Sequence, residues 1–439
     1  MRINHCGPSF AGAAFAAVAI AAAGAPSARA EPALGYTVGV ELEQNDNINL
    51  SRDEPVEETV LTPTLAFDLK QQGAVLSATA AGALSYRDYL GGKFSDELRG
   101  LLSGVATWSI SPERFDWVAE DYLGRQPVDV LQADVPSNQQ QTNVFSTGPT
   151  LRARFGGDLR GRLDLRYTNT YAEETSEFNS DRFSAAARLA WLLGALDNVS
   201  GSLTASRVRY DEVASRPFDY DREDAYIGYE HVSGTLKLDA AAGYSWVDLR
   251  GPDSRSGALL SLGLRWMPSP ATDLGVNAAR QFADASQDLV VDPLSIGNLG
   301  VGSGRNGAVI SPQLYVEKRI GLDFNHRADR YAFNVAPFWR KIDYIEGEFF
   351  SQRSYGWTAR YDWLLRPTFT LSLSTGREHR DYTGLDRTDT DASYSMALAW
   401  RQTSHWTWML RGTHALRDST LREAGYSDNA IILSLTYTR

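Results

Sequence analysis

The chain has 439 residues, a formal net charge of −11, 11% aromatic residues and one cysteine. The acidic balance excludes a general nucleic-acid binder, which needs a basic footprint. After the first thirty residues no apolar run reaches about 18 positions, which excludes helical membrane spans.

The N-terminal segment differs from everything after it. Arg2 and His5 precede an apolar, Ala-rich run from Phe10 to Gly24 that closes on Ala28-Arg29-Ala30. A charged start, an apolar run and a small-x-small site make residues 1–30 a Sec-type signal peptide, with the mature chain starting at Glu31. Cys6 falls in the removed part, so the expected mature protein has no disulfide, thiolate metal site or cysteine nucleophile. No linker-like shift interrupts residues 31–439, which read as one domain in spite of their length.

From Tyr36 to Tyr437 the pattern is period-two alternation. Leu163, Leu165 and Tyr167 alternate with Arg162, Asp164 and Arg166; Trp357, Ala359, Tyr361 and Trp363 alternate with Thr358, Arg360 and Asp362. That is the signature of a strand with one apolar and one wet face. Twenty segments follow: 36–44, 59–70, 74–89, 96–110, 115–124, 143–155, 159–172, 181–193, 198–211, 222–232, 235–249, 256–267, 272–283, 317–326, 331–343, 350–364, 368–381, 390–402, 406–417 and 427–438. Their connections alternate between short (Gln71 to Gly73, Gly156 to Asp158, Ser233-Gly234) and long (Asp46 to Glu58, Gln126 to Thr142, Asp284 to Val316, Asp418 to Tyr426). Short periplasmic turns and long outer loops produce this rhythm in an all-β, transmembrane, antiparallel up-and-down β-barrel. An even strand count places both termini in the periplasm. An unpaired edge in hydrocarbon would strand polar backbone groups at several kcal/mol each, so closure is expected. The last strand, Ile431 to Tyr437, suits the barrel-insertion machinery, although the chain stops on Thr438-Arg439 and not on an aromatic residue.

The tryptophans favour a membrane barrel over a soluble sandwich. Trp108, Trp117, Trp191, Trp266, Trp363, Trp400, Trp406 and Trp408 fall within about five residues of short turns, as an aromatic girdle at one interface does. Tyr86, Tyr89, Tyr122, Tyr171, Tyr210 and Tyr382, near the long-loop ends, are expected to form the second girdle.

If the apolar set faces lipid, the other set faces the lumen. It contains Arg152, Arg154, Arg162, Arg166, Arg188, Arg265, Arg360, Arg401 and Arg411, a candidate basic band for anionic solutes or acidic polymers. The competing and favoured reading is a ladder of cross-strand ion pairs with Asp164, Asp239 and Asp362. Outer loops carry acidic stretches, Asp53 to Glu58 and Asp219, Asp221, Glu223, Asp224, without the spacing of a calcium loop. Gly300, Gly302, Gly304 and Gly307 lack the Lys-Ser/Thr of a phosphate loop; mobility of the longest loop that holds them is the better reading, with a lumen constriction as the alternative. His231, His326, His379, His405 and His414 stand in no catalytic or metal-binding spacing. The expectation is therefore a non-enzymatic protein with no cofactor and no metal site.

Short motifs resemble the β-barrel porin 2 family and the exosortase (PEP-CTERM) and exopolysaccharide-associated outer membrane β-barrel proteins. They are Glu43-Gln44-Asn45-Asp46-Asn47-Ile48-Asn49-Leu50, Trp117-Val118-Ala119-Glu120-Asp121, Thr142-Asn143-Val144-Phe145 leading to Gly148-Pro149, and Val316-Glu317-Lys318-Arg319. The resemblance implies a barrel of eighteen strands, in which case 115–124, 222–232 and 317–326 are the segments to lose. It also implies a role in export of extracellular polysaccharide beside a periplasmic export protein. The expected function is a Gram-negative outer-membrane pore, for polysaccharide export or for diffusion of small solutes. The alternative is a plugged structural barrel whose loops bind a surface partner.

Overall fold

The computed structural model describes residues 32–250, 254–288, 311–347 and 349–439. The expected signal segment and Gly300, Gly302, Gly304 and Gly307 lie outside the described residues.

Twenty strands follow one another: β1 (Ala33–Asn45), β2 (Glu58–Gln72), β3 (Leu76–Tyr89), β4 (Glu97–Ser111), β5 (Phe115–Pro127), β6 (Gln139–Phe155), β7 (Leu159–Ala172), β8 (Ser180–Leu192), β9 (Asp197–Tyr210), β10 (Tyr220–Val232), β11 (Leu236–Leu249), β12 (Ser254–Ser269), β13 (Thr272–Ala283), β14 (Tyr315–Arg327), β15 (Tyr331–Tyr344), β16 (Gln352–Arg366), β17 (Phe369–Tyr382), β18 (Arg387–Arg401), β19 (Trp406–Ser419) and β20 (Tyr426–Thr438). Each pairs antiparallel with the next, and β1 pairs with β20 from Thr37↔Thr438 to Asn45↔Ala430, closing the sheet into a barrel. Main-chain bonds between Tyr36 and Arg439 extend this seam by a residue pair. The segments that an eighteen-stranded barrel would lose are all present, as β5, β10 and β14.

Alternation decides which side chain meets which environment. On β1 the exposed Leu34, Val38, Val40 and Leu42 share the outer face, and Thr37, Gly39, Glu41 and Glu43 take the inner one. Leu203, Ile227 and Ile431 are each at least 64% exposed on the outer face, an arrangement that water would penalise and hydrocarbon rewards. Irregularities of register at Ser109/Ser111, Trp266/Ser269 and Leu364/Arg366 all sit beside short turns, where a bulge tightens the local twist.

The β5–β6 hairpin differs from expectation. The two strands stay paired out to Pro127↔Gln139, whereas β4 keeps step with β5 only as far as Leu102↔Leu123. The hairpin thus rises past its neighbour, and the long connection shrinks to residues 128–138.

The apolar clusters lie inside the barrel at its long-loop end. One gathers Tyr122, Val144, Ala172, Phe178 and Ala285; another Val208, Tyr210, Tyr220, Val247, Leu249, Phe282 and Leu314. This corrects the expected second girdle. Tyr86 and Tyr171 are 42% exposed on the outer face, but Tyr89, Tyr122, Tyr210 and Tyr382 are 8% exposed or less. The reason is parity: Tyr122 shares a face with Asp116 and Val118, opposite the exposed Trp117.

Candidate functional site

The lumen wall carries the candidate basic band, and β6, β7 and β8 bring five of its members together. Arg152 stands directly opposite Arg162, and Arg162 opposite Arg188, in one inward row. Like charges placed this way repel, and carboxylates intervene. Arg152 pairs with the buried Asp116, Arg162 with Asp164 at 2.6 Å, and Arg188 with Glu230 at 2.6 Å. Arg154 pairs with Glu113 at 3.0 Å.

Arg166 has a local structural task. Pro149 has no N–H to donate, and the β6–β7 ladder skips Gly148 and Pro149. The Arg166 guanidinium donates to the carbonyls of Pro149 and Leu165, at 2.9 Å each, and bonds the Asp164 carboxylate at 3.2 Å. The remaining four arginines stand apart from this group. Arg265 pairs with Asp273, Arg360 with Asp362 at 2.8 Å, Arg401 donates to the Pro367 carbonyl at 3.0 Å, and Arg411 interacts electrostatically with Glu41. Of the three carboxylates expected in the ladder, Asp164 and Asp362 take part; Asp239 makes no ion pair among the described residues. The band is thus one cluster plus four separate pairs, and Arg160, opposite Arg154, is a cluster neighbour that sequence reasoning did not single out.

At the long-loop end two segments fold inward. After β13 the chain enters the barrel through a helical turn, Ala285–Asp288. The Asp284 carboxylate is bound there by Arg182 of β8 and by the Tyr220 hydroxyl of β10. Arg182 also donates to Ser286 Oγ at 3.1 Å. Burial works to raise the Asp284 pKa, but the Arg182 charge and the hydrogen bonds from Ser286, Tyr220 and Arg182 together outweigh it and hold the carboxyl below the ordinary aspartate range. Ala285 packs against Tyr122, Val144 and Ala172, on strands that do not neighbour β13. On the returning side of the same loop, the Pro312 carbonyl accepts from the Tyr210 hydroxyl at 2.8 Å. Both feet of the longest loop are therefore fastened to the inner wall of β8–β10, and its middle lies outside the described residues.

The second segment is the 128–138 loop. Asn138 folds it by bonding Asp129 N and O and the Ala133 carbonyl at 2.8 to 3.0 Å. Val130 then packs on the cluster of Ala283, Tyr315, Ile342 and Tyr344, and the Leu131 carbonyl accepts from Arg387 of β18 at 2.7 Å. Arg387 is itself held by Asp389. Sequence reasoning missed both fastenings. For the longest loop the signal was the inward parity of Tyr210, Tyr220 and Arg182.

Elsewhere the structure redistributes the candidates. Asp221, Glu223 and Asp224 belong to β10 and not to a loop; Asp221 pairs with Arg207 and Arg209, Asp224 with Arg222, and the buried Asp219 with Arg250 at 2.6 Å. Asp53 pairs with Arg422. The eight expected girdle tryptophans all lie exposed on the outer face, with Trp108 opposite Trp117 and Trp400 opposite Trp408. His231, His379 and His414 hydrogen-bond to Asp197, Thr390 and Asn429 respectively. His326 bonds Thr272, and His405 the Thr438 carbonyl. Among the described residues no group of three or more His, Cys, Asp or Glu side chains could hold a metal, and no helix is long and apolar enough to cross a membrane.

A closed twenty-stranded meander with an apolar exterior defines a large β-barrel of the outer-membrane type. The family model "surface lipoprotein assembly modifier" matches residues 315–436, which is β14 through most of β20. It differs from the porin 2 group that the motifs resemble. No curated protein matches the sequence significantly. Among solved structures, the chain is similar to the FrpB iron transporter from Neisseria meningitidis (F5-1 variant), with TM-score 0.50, 9% identity, 92% of this chain and 82% of that one covered. The ferric enterobactin receptor PfeA of Pseudomonas aeruginosa, in complex with BCV-L6, gives 0.48 at 10% identity, covering 94% and 82%. OccK2 (OpdF) of P. aeruginosa, in complex with glucuronate, gives 0.39 at 10% identity, covering 93% and 98%. At these identities the likeness is one of fold.

Proposed function

We propose that the chain is a Gram-negative outer-membrane conduit whose polar lumen is held closed at its outer mouth by the two inward-folded segments. The fastening of Asp284 to Arg182 and Tyr220 is the observation that carries this reading. Barrels of 16–18 strands already leave an aqueous channel and those of 22 strands hold a plug, so twenty strands enclose more space than their own side chains fill. A charged wall satisfied by ion pairs suits a polar substrate, with small solutes and extracellular polysaccharide as the two candidates. Polysaccharide export rests on the motif resemblance, and would bring in a periplasmic export protein as partner.

In this reading the short turns and both termini face the periplasm, and the tryptophans near those turns sit at the inner interface. The signal segment routes the chain to the barrel-insertion machinery, and the outer surface meets outer-membrane lipid.

Reconstitution in planar bilayers tests the conduit. The wild type should open rarely, and the Asp284→Asn variant should show frequent, stepwise conductance. Silence from both, in barrels that remain heat-modifiable on gels, would overturn the conduit and favour a plugged interaction barrel. The match over 315–436 supports a second reading, a barrel that assists surface-lipoprotein assembly. Loss of a lipoprotein from the cell surface on deletion of the gene would favour it.

A further inference from the structure

On the outer face at the long-loop end, three cations stand side by side across three strands. Lys318 of β14 is directly opposite Lys341 of β15, and Lys341 is directly opposite Arg353 of β16. Two of the chain's five lysines thus face each other, in a protein of net charge −11. Their face is fixed by exposed neighbours of the same parity, Ile320 and Leu322 on β14 and Tyr355 and Trp357 on β16.

Directly opposed like charges destabilise a sheet. Two carboxylates offset them in part: Asp343 is shared by Lys318 at 3.5 Å and Lys341 at 2.8 Å, and Asp381 bonds Arg353 at 2.9 Å. A fourth outward cation, Arg377 of β17, is exposed opposite Trp357 and has no polar partner among the described residues. Arg280 of β13, directly opposite Lys318, donates to the Ala258 carbonyl, so the patch holds these four cations against two carboxylates with a fifth arginine beside them. The outer face of β8–β10 at the same end is the reverse, with Arg207 and Arg209 against Asp181, Asp221 and Glu223.

We infer that Lys318, Lys341, Arg353 and Arg377 bind the phosphorylated headgroup of an outer-leaflet lipid, a surface that rests on the outer-membrane reading above. The row spans about 10 Å across the strands, and the next row on the same face, Ile320, Trp339 and Tyr355, lies about 7 Å nearer the barrel's middle. Cations at the headgroup level above apolar and aromatic side chains at acyl-chain level match an amphiphile with an anionic head. Cations beside a membrane surface each strengthen attraction to such lipids, and their long stems reach toward it.

Native mass spectrometry of the full barrel in detergent tests the site, with lipid A carrying two phosphates as the probe and the same lipid without phosphates as its control. The wild type should retain the phosphorylated lipid in preference to the control. Combined Lys318→Gln, Lys341→Gln and Arg353→Gln should weaken retention about a hundredfold. Combined Arg207→Gln and Arg209→Gln should leave it unchanged. Should the triple variant fail to fold, Arg377→Gln alone carries the test, with an expected loss of about fivefold. Equal retention by wild type and the Gln variants, or displacement of the lipid by equimolar inorganic phosphate, would overturn the site. Membrane fractionation reads the location separately: a barrel outside the outer membrane that still selects the phosphorylated lipid refutes the location and leaves the site standing.

Discussion

Arg182 of β8 and Asp284, 102 positions later in the chain, form an ion pair inside the barrel, and that pair fastens one foot of the longest loop to a run of wall five strands from β13. Removing one partner leaves the other buried and unpaired, which costs about 3 kcal/mol or more. Asp284→Asn and Arg182→Met should each raise the open probability in bilayer recordings. The double variant should be less perturbed than the sum of the two. Strict additivity would show that the residues do not act as a pair.

The latch has a defined pH response. Against its burial, the Asp284 carboxyl is depressed by the Arg182 charge and by hydrogen bonds from Ser286, Tyr220 and Arg182, so its stabilisation is fully present above the ordinary aspartate value near 3.9 and is lost as pH falls through the lower value of the fastened state. Conductance should be flat from about pH 8 to about pH 5 and rise only below about pH 4. A rise between pH 5 and 7 would assign the closure to some other group.

Gly148 is a position where no side chain fits. A Cβ there would sit 2.1 Å from the Leu165 carbonyl oxygen, in the part of the β6–β7 ladder that Arg166 bridges. Gly148→Ala should lower the gel-shift unfolding temperature, with a cost of about 1–3 kcal/mol. Gly412→Ala, where a Cβ meets nothing within 4 Å, should leave it unchanged.

Arg162 and Arg166 are neighbours in the cluster with different expected costs. Arg162 is half-exposed and makes one ion pair, so Arg162→Ala should cost no more than about 1 kcal/mol. Arg166→Ala strips the donors from two backbone carbonyls and should cost about 1–3 kcal/mol. Urea unfolding in lipid vesicles compares them, and equal losses would refute the bridging role.

Opposite faces of one strand supply a further contrast. Leu203 points outward and Thr204 inward on β9. In vesicles Leu203→Arg should destabilise by about 2–4 kcal/mol, whereas Thr204→Arg should be tolerated. The opposite ranking would reverse the assignment of faces.

Strand positions were legible because a barrel writes its architecture in local terms. Period two and turn length repeat from hairpin to hairpin, and Trp marks several of the short turns, so β5, β10 and β14 could be placed without reference to the rest. The interior of the mouth was not written that way. Tyr122 and Tyr210 looked like interface residues by their distance from the loops, yet their parity puts them inside; counting from Trp117 and Leu203 would have shown it. The Asp219–Asp224 stretch looked like a loop because it is acidic, but Arg207, Arg209, Arg222 and Arg250 neutralise it from β9, β10 and the end of β11. Pairings such as Arg182 with Asp284 join strands that are distant in sequence and leave no periodic trace.

The seam between β1 and β20 bears on how the molecule can be assembled. Every other pairing joins strands consecutive in the chain, while Thr37 meets Thr438 across 401 positions. Hairpins can form one after another at modest entropic cost, but closure must wait for the last strand and bears the cost of the whole loop. Because the ends of the described barrel, residues 32 and 439, lie at that seam beside the short turns, joining them and reopening the chain at another short turn would move the late step elsewhere without altering one contact in the wall. A circular permutant opened at the short turn between β8 and β9 would then close last on the strands that hold the latch.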